Sequence, residues 1–285
     1  ESTGSDGWTD DDFLVNGTQI NPVLSGNKTV YYWVVVTDAP VSDIATVWVD
    51  VKYSNEIQNH FQLQSYLSES DALSLWEDVH VYNPTLVTYG NQGTESYTYS
   101  EIWNELAQGG ARIYDGQATM SYCQPAGEYT VDAVAVDHGG LSGDLVNHFL
   151  YVPTVGVDYD FTEIDYDHNH SVYLDAWNQL DGDTDMGTPL QPTLQITGNV
   201  PLYFSVVQDD MGFNTTDTTT WNVHYKARLG GLTGEWVTYD PYQTVVIPGY
   251  LPLCSSEPLD FQPTRSSPTA ISAGPKRSSP CPRTS

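Results

Sequence analysis

A chain of 285 residues is long enough for two domains of ordinary size, each with a core of its own. With 37 acidic residues against 9 basic ones and a formal charge of −28, it is a polyanion. That argues against nucleic acid and anionic membrane as partners and leaves cations and neutral or glycan surfaces. Charged residues are only 16% of the total while tyrosine (20) and tryptophan (8) are abundant, a balance that suits solvated β-sheets better than helices.

Residues 1–12, rich in Gly, Ser, Thr and Asp, read as a flexible arm that orders only against a neighbour, with Trp8 either packing locally or anchoring in the next subunit. No apolar run approaches the ~20 residues that span a bilayer, so no membrane span is expected. No signal peptide is present either; in a secreted chain, Glu1 would lie near the mature amino terminus.

A first immunoglobulin-like β-sandwich is expected over residues 13–153. Val30–Asp38 and Ile44–Tyr53 are two strongly β-prone runs joined by a short loop containing Pro40, and they read as a hairpin. Their near-continuous apolar character asks for cover on both faces. The cover is expected from an insertion near 55–116, where Asp71–Glu77 is helix-compatible. Within it Thr98 and Glu101 form a capping box ahead of Ile102, Trp103 and Leu106, stopped at Gly109-Gly110. Tyr129, Val131, Ala133 and Ala135 then recur at the two-residue period of a half-buried strand. After Gly139-Gly140 a second run, Leu145–Tyr151, closes a hairpin that Pro153 ends.

A second immunoglobulin-like sandwich is expected over 154–261, opening at Val155–Tyr166. Further strands are expected near Pro192–Ile196, Leu202–Gln208, Trp221–Ala227 and Trp236–Val246. The fold class is therefore all-β: two immunoglobulin-like β-sandwich domains in tandem, the first with a small helical insertion. Residues 262–285 differ in kind. They hold four of the nine basic residues (Arg265, Lys276, Arg277, Arg283), no acids and five prolines, and do not read as a strand.

Several residues carry candidate chemistry. Asp181, Asp183 and Asp185 alternate in a Gly-containing loop, which is either a calcium site of hard oxygens or a solvated acidic turn; the spacing departs from an EF-hand. Asp158, Asp160, Asp165 and Asp167 form a second acidic group. His168 and His170, beside Asp165 and Asp167, would suit a transition metal or an exposed loop. Sequons at Asn16, Asn27, Asn169 and Asn214 are candidate glycosylation sites. Cys123, Cys254 and Cys281 allow one disulfide and one spare thiol, with the pairing open, and form no CxxC pattern. No GxSxG elbow, HExxH helix, phosphate loop or dinucleotide fingerprint occurs, so no catalytic residue and no cofactor other than calcium is expected.

The runs Val207–Phe213, Trp221–Gly230, Tyr239–Pro241 and Ile247–Cys254, with Leu259–Phe261 and the pattern around Gln124–Val131 and Tyr151–Pro153, resemble a family of acidic, secreted, Ig-like or PKD-like β-sandwich surface proteins. That family is encoded by methanogenic and methane-oxidising archaea. The resemblance covers residues 14–261 and implies an archaeal cell-surface or extracellular setting, with no particular activity. After Phe261 the resemblance would continue with another alternating strand, where this chain has Ser, Pro and Arg. A shifted reading frame or a true tail would each give that change. The expected function is a structural, self-assembling extracellular protein: a homo-oligomer or polymer forming an S-layer, sheath or extracellular filament through strand addition and aromatic packing. The alternative is an adhesin or carbohydrate-binding module, calcium-dependent or not.

Overall fold

The computed structural model describes residues 18–82, 98–162, 164, 173, 176–209 and 223–265. The expected arm, Trp8, Asn16, the His168 and His170 pair, Asn169, Asn214, Asp165, Asp167, Cys281 and the tail beyond 265 lie outside them.

The protein is all-β, with two α-helices among the described residues, and its chain divides into two compact units. The first takes in the described part of Glu1–Val157 together with Ile196–Pro201 and Pro252–Cys254. It holds β1 (Thr18–Ile20), β2 (Asn27–Thr37), β3 (Ile44–Tyr53), β4 (Glu56–Gln62), β5 (Ser65–Tyr66), α1 (Glu69–Tyr82), α2 (Tyr99–Gln108), β6 (Ala111–Ser121), β7 (Gly127–Asp137) and β8 (Ser142–Tyr151). One sheet has the order β1-β8-β7-β3-β4 and the other β2-β6-β5. Strands β3, β7 and β8 lie side by side as strands C, F and G do in the immunoglobulin fold.

Between the two sheets lies a core of Val47, Val49 and Val51 from β3, Tyr129 from β7, Phe149 and Tyr151 from β8, and Met120 from β6. Val30, Tyr32, Val34 and Val36, at every second position of β2, face this core. The intervening Trp33 and Val35 face a second cluster built by Ala72, Leu75 and Trp76 of α1 and Ile102 and Leu106 of α2. This explains why β2 is apolar almost throughout: one face meets the opposite sheet and the other meets the inserted helices.

The β7–β8 hairpin forms in the expected register, from Gly127 opposite Tyr151 to Val136 opposite Ser142. Helix α2 begins as its sequence signals: Thr98 accepts from the Glu101 amide, Glu101 returns a carboxylate to the Thr98 amide, and Gly109 ends the helix at φ 70°. The expected hairpin between Val30–Asp38 and Ile44–Tyr53 does not form. Strand β2 pairs with β6, whereas β3 pairs with β7 and β4, so the Asp38–Asp43 link carries the chain from one sheet to the other. A short connection between two apolar runs has the same sequence appearance in either case. Glu56–Gln62, inside the expected insertion, is a strand paired with β3.

The second unit is centred on β12 (Val223–Leu229) and β15 (Ser256–Arg265), in a sheet of order β13-β12-β15-β10-β9 with β13 (Val237–Tyr239), β10 (Thr193–Ile196) and β9 (Val157–Tyr159). A ribbon of β11 (Ser205–Val206) and β14 (Val245–Val246) accompanies it. Tyr225, Ala227 and Leu229 alternate on the buried face of β12, and the last two lie opposite Phe261 and Leu259 of β15. The run Trp236–Val246 is two strands in two sheets, because the chain turns at Tyr242, which adopts φ 62°.

The strand pattern does not stop at Phe261 as expected. Strand β15 continues through Gln262, Pro263, Thr264 and Arg265, opposite Lys226, Tyr225, His224 and Val223. Proline composition hid this. Pro263 cannot donate to a ladder, yet its carbonyl accepts from the Asn178 amide at 3.0 Å. Strand β15 is interior to its sheet, whose edges are β13 and β9.

Candidate functional site

The Asp181–Gly187 loop is held by its own side chains. The Asp183 carboxylate accepts from the hydroxyls of Thr188 (2.7 Å) and Thr193 (2.9 Å) and from the Asp185 amide (2.9 Å). These donors, Thr188 first, hold its carboxyl below the usual range. Asp185 accepts from the Gly187 amide at 2.9 Å, and Asp181 accepts from the Gln179 side-chain amide. Gly182 is needed for packing: a Cβ there would stand 2.2 Å from the Pro192 carbonyl oxygen and 2.5 Å from the Leu259 nitrogen. In this arrangement both carboxylate oxygens of Asp183 and one each of Asp181 and Asp185 accept hydrogen bonds.

Among the described residues, three carboxylates do converge elsewhere: oxygens of Asp38, Asp43 and Asp137 all lie within 4.8 Å of one another, each residue half-buried. Asp38 follows the last residue of β2, Asp43 ends the 3-10 turn Val41–Asp43, and Asp137 ends β7. One Asp38 oxygen accepts from the Ala39 amide at 2.7 Å, and the other is buried with no hydrogen-bond partner. Asp137 accepts from the Leu141 amide at 2.8 Å, and His138 donates its amide to the Asp43 carbonyl at 2.9 Å. Hard oxygens at this spacing suit a divalent cation, and exposed acidic groups are common without one. Sequence spacing could not have shown this group, because its members span about a hundred residues and meet only where the chain changes sheets.

Asn27 opens β2 as an exposed residue, and Thr29 of the same sequon is exposed too. Cys123 and Cys254 form a disulfide with Cα atoms 5.0 Å apart, inside the first unit.

Two further arrangements were not read from the sequence. At the start of β7 the Tyr129 hydroxyl donates to the Pro125 carbonyl four residues upstream, at 2.9 Å. This is the tyrosine corner of immunoglobulin-like domains, and the local run Pro125-Ala-Gly-Glu-Tyr129 carries its signal. Large side chains also stand in solvent, among them Leu232, Leu141 and Tyr203, with Tyr203 and Tyr250 forming a ring pair 6.1 Å apart.

Comparison with known proteins adds little. No family model matches the chain, and no curated protein matches it. Among solved structures, dimeric latent PorU from Porphyromonas gingivalis is similar at 9% identity and TM-score 0.26, covering 90% of this chain and 19% of that one, so this chain spans about a fifth of its length. A domain named BspA_C_WT is similar at 13% identity and TM-score 0.22, covering 93% of this chain and 90% of that one. The C-terminal domain of the Streptococcus pyogenes antigen I/II-family protein AspA is similar at 12% identity, TM-score 0.22 and the same two coverages. At these scores the likenesses carry no argument.

Proposed function

We propose that the chain is a non-enzymatic, self-associating extracellular protein, a subunit of an archaeal S-layer, sheath or filament. The observation that carries this reading is the surface: in a chain of charge −28, large apolar and aromatic side chains such as Leu141, Tyr203 and Leu232 stand in solvent on both units. Side chains of this kind are costly to expose and gain from a neighbouring copy. The Cys123–Cys254 disulfide supports an oxidising, extracellular setting, and the exposed sequon at Asn27 agrees with it. Imaging the native material tests the reading. Repeating contacts between copies are expected, and a dispersed monomer under native ionic conditions would sink it.

One observation favours a second reading, an adhesin or carbohydrate-binding module: the exposed Tyr203–Tyr250 ring pair offers aromatic faces to a sugar. Saturable sugar binding by the monomer on a glycan array, abolished by Tyr203→Ala, would favour that alternative.

A further inference from the structure

Strands β11 and β14 of the second unit lie within a longer antiparallel ribbon. Ile247 donates its amide to the Phe204 carbonyl at 2.9 Å, and Leu202 and Leu251 exchange amide-to-carbonyl bonds at 3.3 and 2.9 Å. Side chains alternate between its two faces. Ile247 and Leu251 are buried and Leu202, Phe204 and Val206 half-buried, which defines the inward face. Tyr203, Ser205 and Val207 take the outward face. They are joined there by Val246, which stands opposite Ser205, and by Tyr250, whose ring meets that of Tyr203. A strand that buries one face ordinarily carries polar residues on the other. Here Tyr203 is 73% exposed, Val246 59%, Val207 56% and Tyr250 54%. The same two-sided apolar pattern marks β2, where the opposite sheet covers one face and the helices the other. On the ribbon the outward face meets solvent.

Neither 202–208 nor 241–251 contains a charged residue, in a chain with 37 acidic ones. Two copies that approach at an arbitrary place bring carboxylates together, and a basic partner would be drawn to those carboxylates, not to this face. The occupant that needs an uncharged apolar face is another polyanion of the same kind. The geometry also favours a protein over a sugar. The Tyr203 and Tyr250 rings are inclined by 55°, so they offer no common plane to a pyranose, and Val207 and Val246 beside them offer it no hydrogen bond.

We propose that the outward face of this ribbon is the contact face for a second copy of this chain. The two ribbons stack face to face about 10 Å apart, with Tyr203, Val207, Val246 and Tyr250 of each copy packed against those of the other. This names the contact within the self-associating reading above and rests on it. Four side chains fall short of the roughly 800 Å² that each partner of a stable complex buries, so the pair forms and parts with concentration. The join is isologous, and a larger assembly needs a second contact elsewhere.

Hydroxyl-radical footprinting of the full chain at low and high protein concentration, read by mass spectrometry beside sedimentation, tests the proposal. Oxidation of Tyr203 and Tyr250 should slow severalfold at high concentration and recover on dilution, while Tyr173, exposed and outside the ribbon, keeps one rate. Val246→Glu should abolish the protection and shift sedimentation towards the monomer; Tyr203→Ser/Tyr250→Ser should give the same shift and serves if the first variant does not fold. Ser142→Glu adds the same charge at an exposed position of β8 and should do neither. Equal loss in Ser142→Glu overturns the proposal, because net charge and not this face then decides association. If the tyrosine pair is equally unreactive at both concentrations, it is covered within one chain and the proposal is overturned. Protection of the pair on the monomer by maltohexaose or chitohexaose, with no effect of protein concentration, overturns it in favour of the carbohydrate-binding alternative. If the protein assembles by sedimentation while the pair stays reactive, this contact is overturned and the self-associating reading stands. A monomer at both concentrations overturns both.

Discussion

Arg228 donates its Nε to Asp260 Oδ2 at 2.6 Å, across adjacent strands β12 and β15, with both side chains buried. The other oxygen of Asp260 accepts from the Gly182 amide at 2.8 Å, and the guanidinium lies 4.5 Å from the centre of the Trp236 ring. Each charge is thus matched where water is scarce. Removing one partner leaves the other buried and unpaired, so Asp260→Ala should cost the second unit about 3–5 kcal/mol in urea unfolding. Replacing both with apolar residues, Arg228→Met/Asp260→Leu, should recover most of that. A double variant as unstable as the single would contradict this account.

Asn199 ties distant segments of the first unit. Its side chain accepts from the Thr154 amide at 2.7 Å and donates to the Val152 carbonyl at 3.0 Å, while its backbone carbonyl takes the Ala126 amide at 3.0 Å. The residue is almost wholly buried. Asn199→Leu would leave the Thr154 amide without its acceptor and the Val152 carbonyl with only the Thr154 hydroxyl at 3.3 Å, and a loss of about 1–3 kcal/mol is expected in thermal or chemical denaturation.

Tyr32 differs from the other core tyrosines. Tyr129 and Tyr151 donate to the carbonyls of Pro125 and Ser121, whereas the Tyr32 hydroxyl is buried with no partner. Tyr32→Phe keeps the ring against Phe61 and removes the orphan, so it should be neutral or stabilise by about 1 kcal/mol. Clear destabilisation in a calorimetric melt would refute this.

High pH should unfold the protein through these same phenols. Burial pushes the Tyr151 hydroxyl up to about 12 and raises Tyr129 and Tyr32 as well. A folded-state value raised above the unfolded value near 10 means that the stability is complete below pH ~10 and is lost as pH rises through the folded value. Tyrosinate absorbance should therefore appear in two stages, exposed phenols first and the buried set together with loss of β-sheet circular dichroism. Ionisation of all twenty tyrosines near pH 10 with the fold intact would count against it.

Thr98→Ala removes the acceptor for the Glu101 amide at the start of α2 and should cost about 1 kcal/mol. Thr98→Ser, which keeps the hydroxyl, should restore nearly all of it. Because α2 covers the Trp33 and Val35 face of β2, local exchange at β2 should rise in the alanine variant alone.

What could be read from the sequence was local. The Thr98–Glu101 capping box lies within four residues, and the β7–β8 hairpin shows its register in one continuous alternation, so both were legible. The cover on both faces of β2 was legible from its apolar run. Partnership was not: whether β2 turns back on β3 or crosses to another sheet depends on β6, some eighty residues on. The approach of Asp38, Asp43 and Asp137 follows from that crossing and shares its invisibility. At β15 the failure was compositional, since Pro263 masked a strand that uses only its carbonyl there. At the Asp181–Gly187 loop the sequence showed the alternating carboxylates, and the hydrogen bonds of Asp183 to Thr188 and Thr193 depend on residues further along the chain.

The Cys123–Cys254 bond also defines a load path. The two cysteines stand 131 positions apart, and most of the second unit lies in the chain between them. Tension applied to residues before Cys123 and after Cys254 runs through the sulfur–sulfur bond and bypasses everything between. That stretch can be sheared, nicked by a protease or locally melted without the molecule lengthening or parting. A chain connected in this way keeps its end-to-end reach while part of its body is damaged.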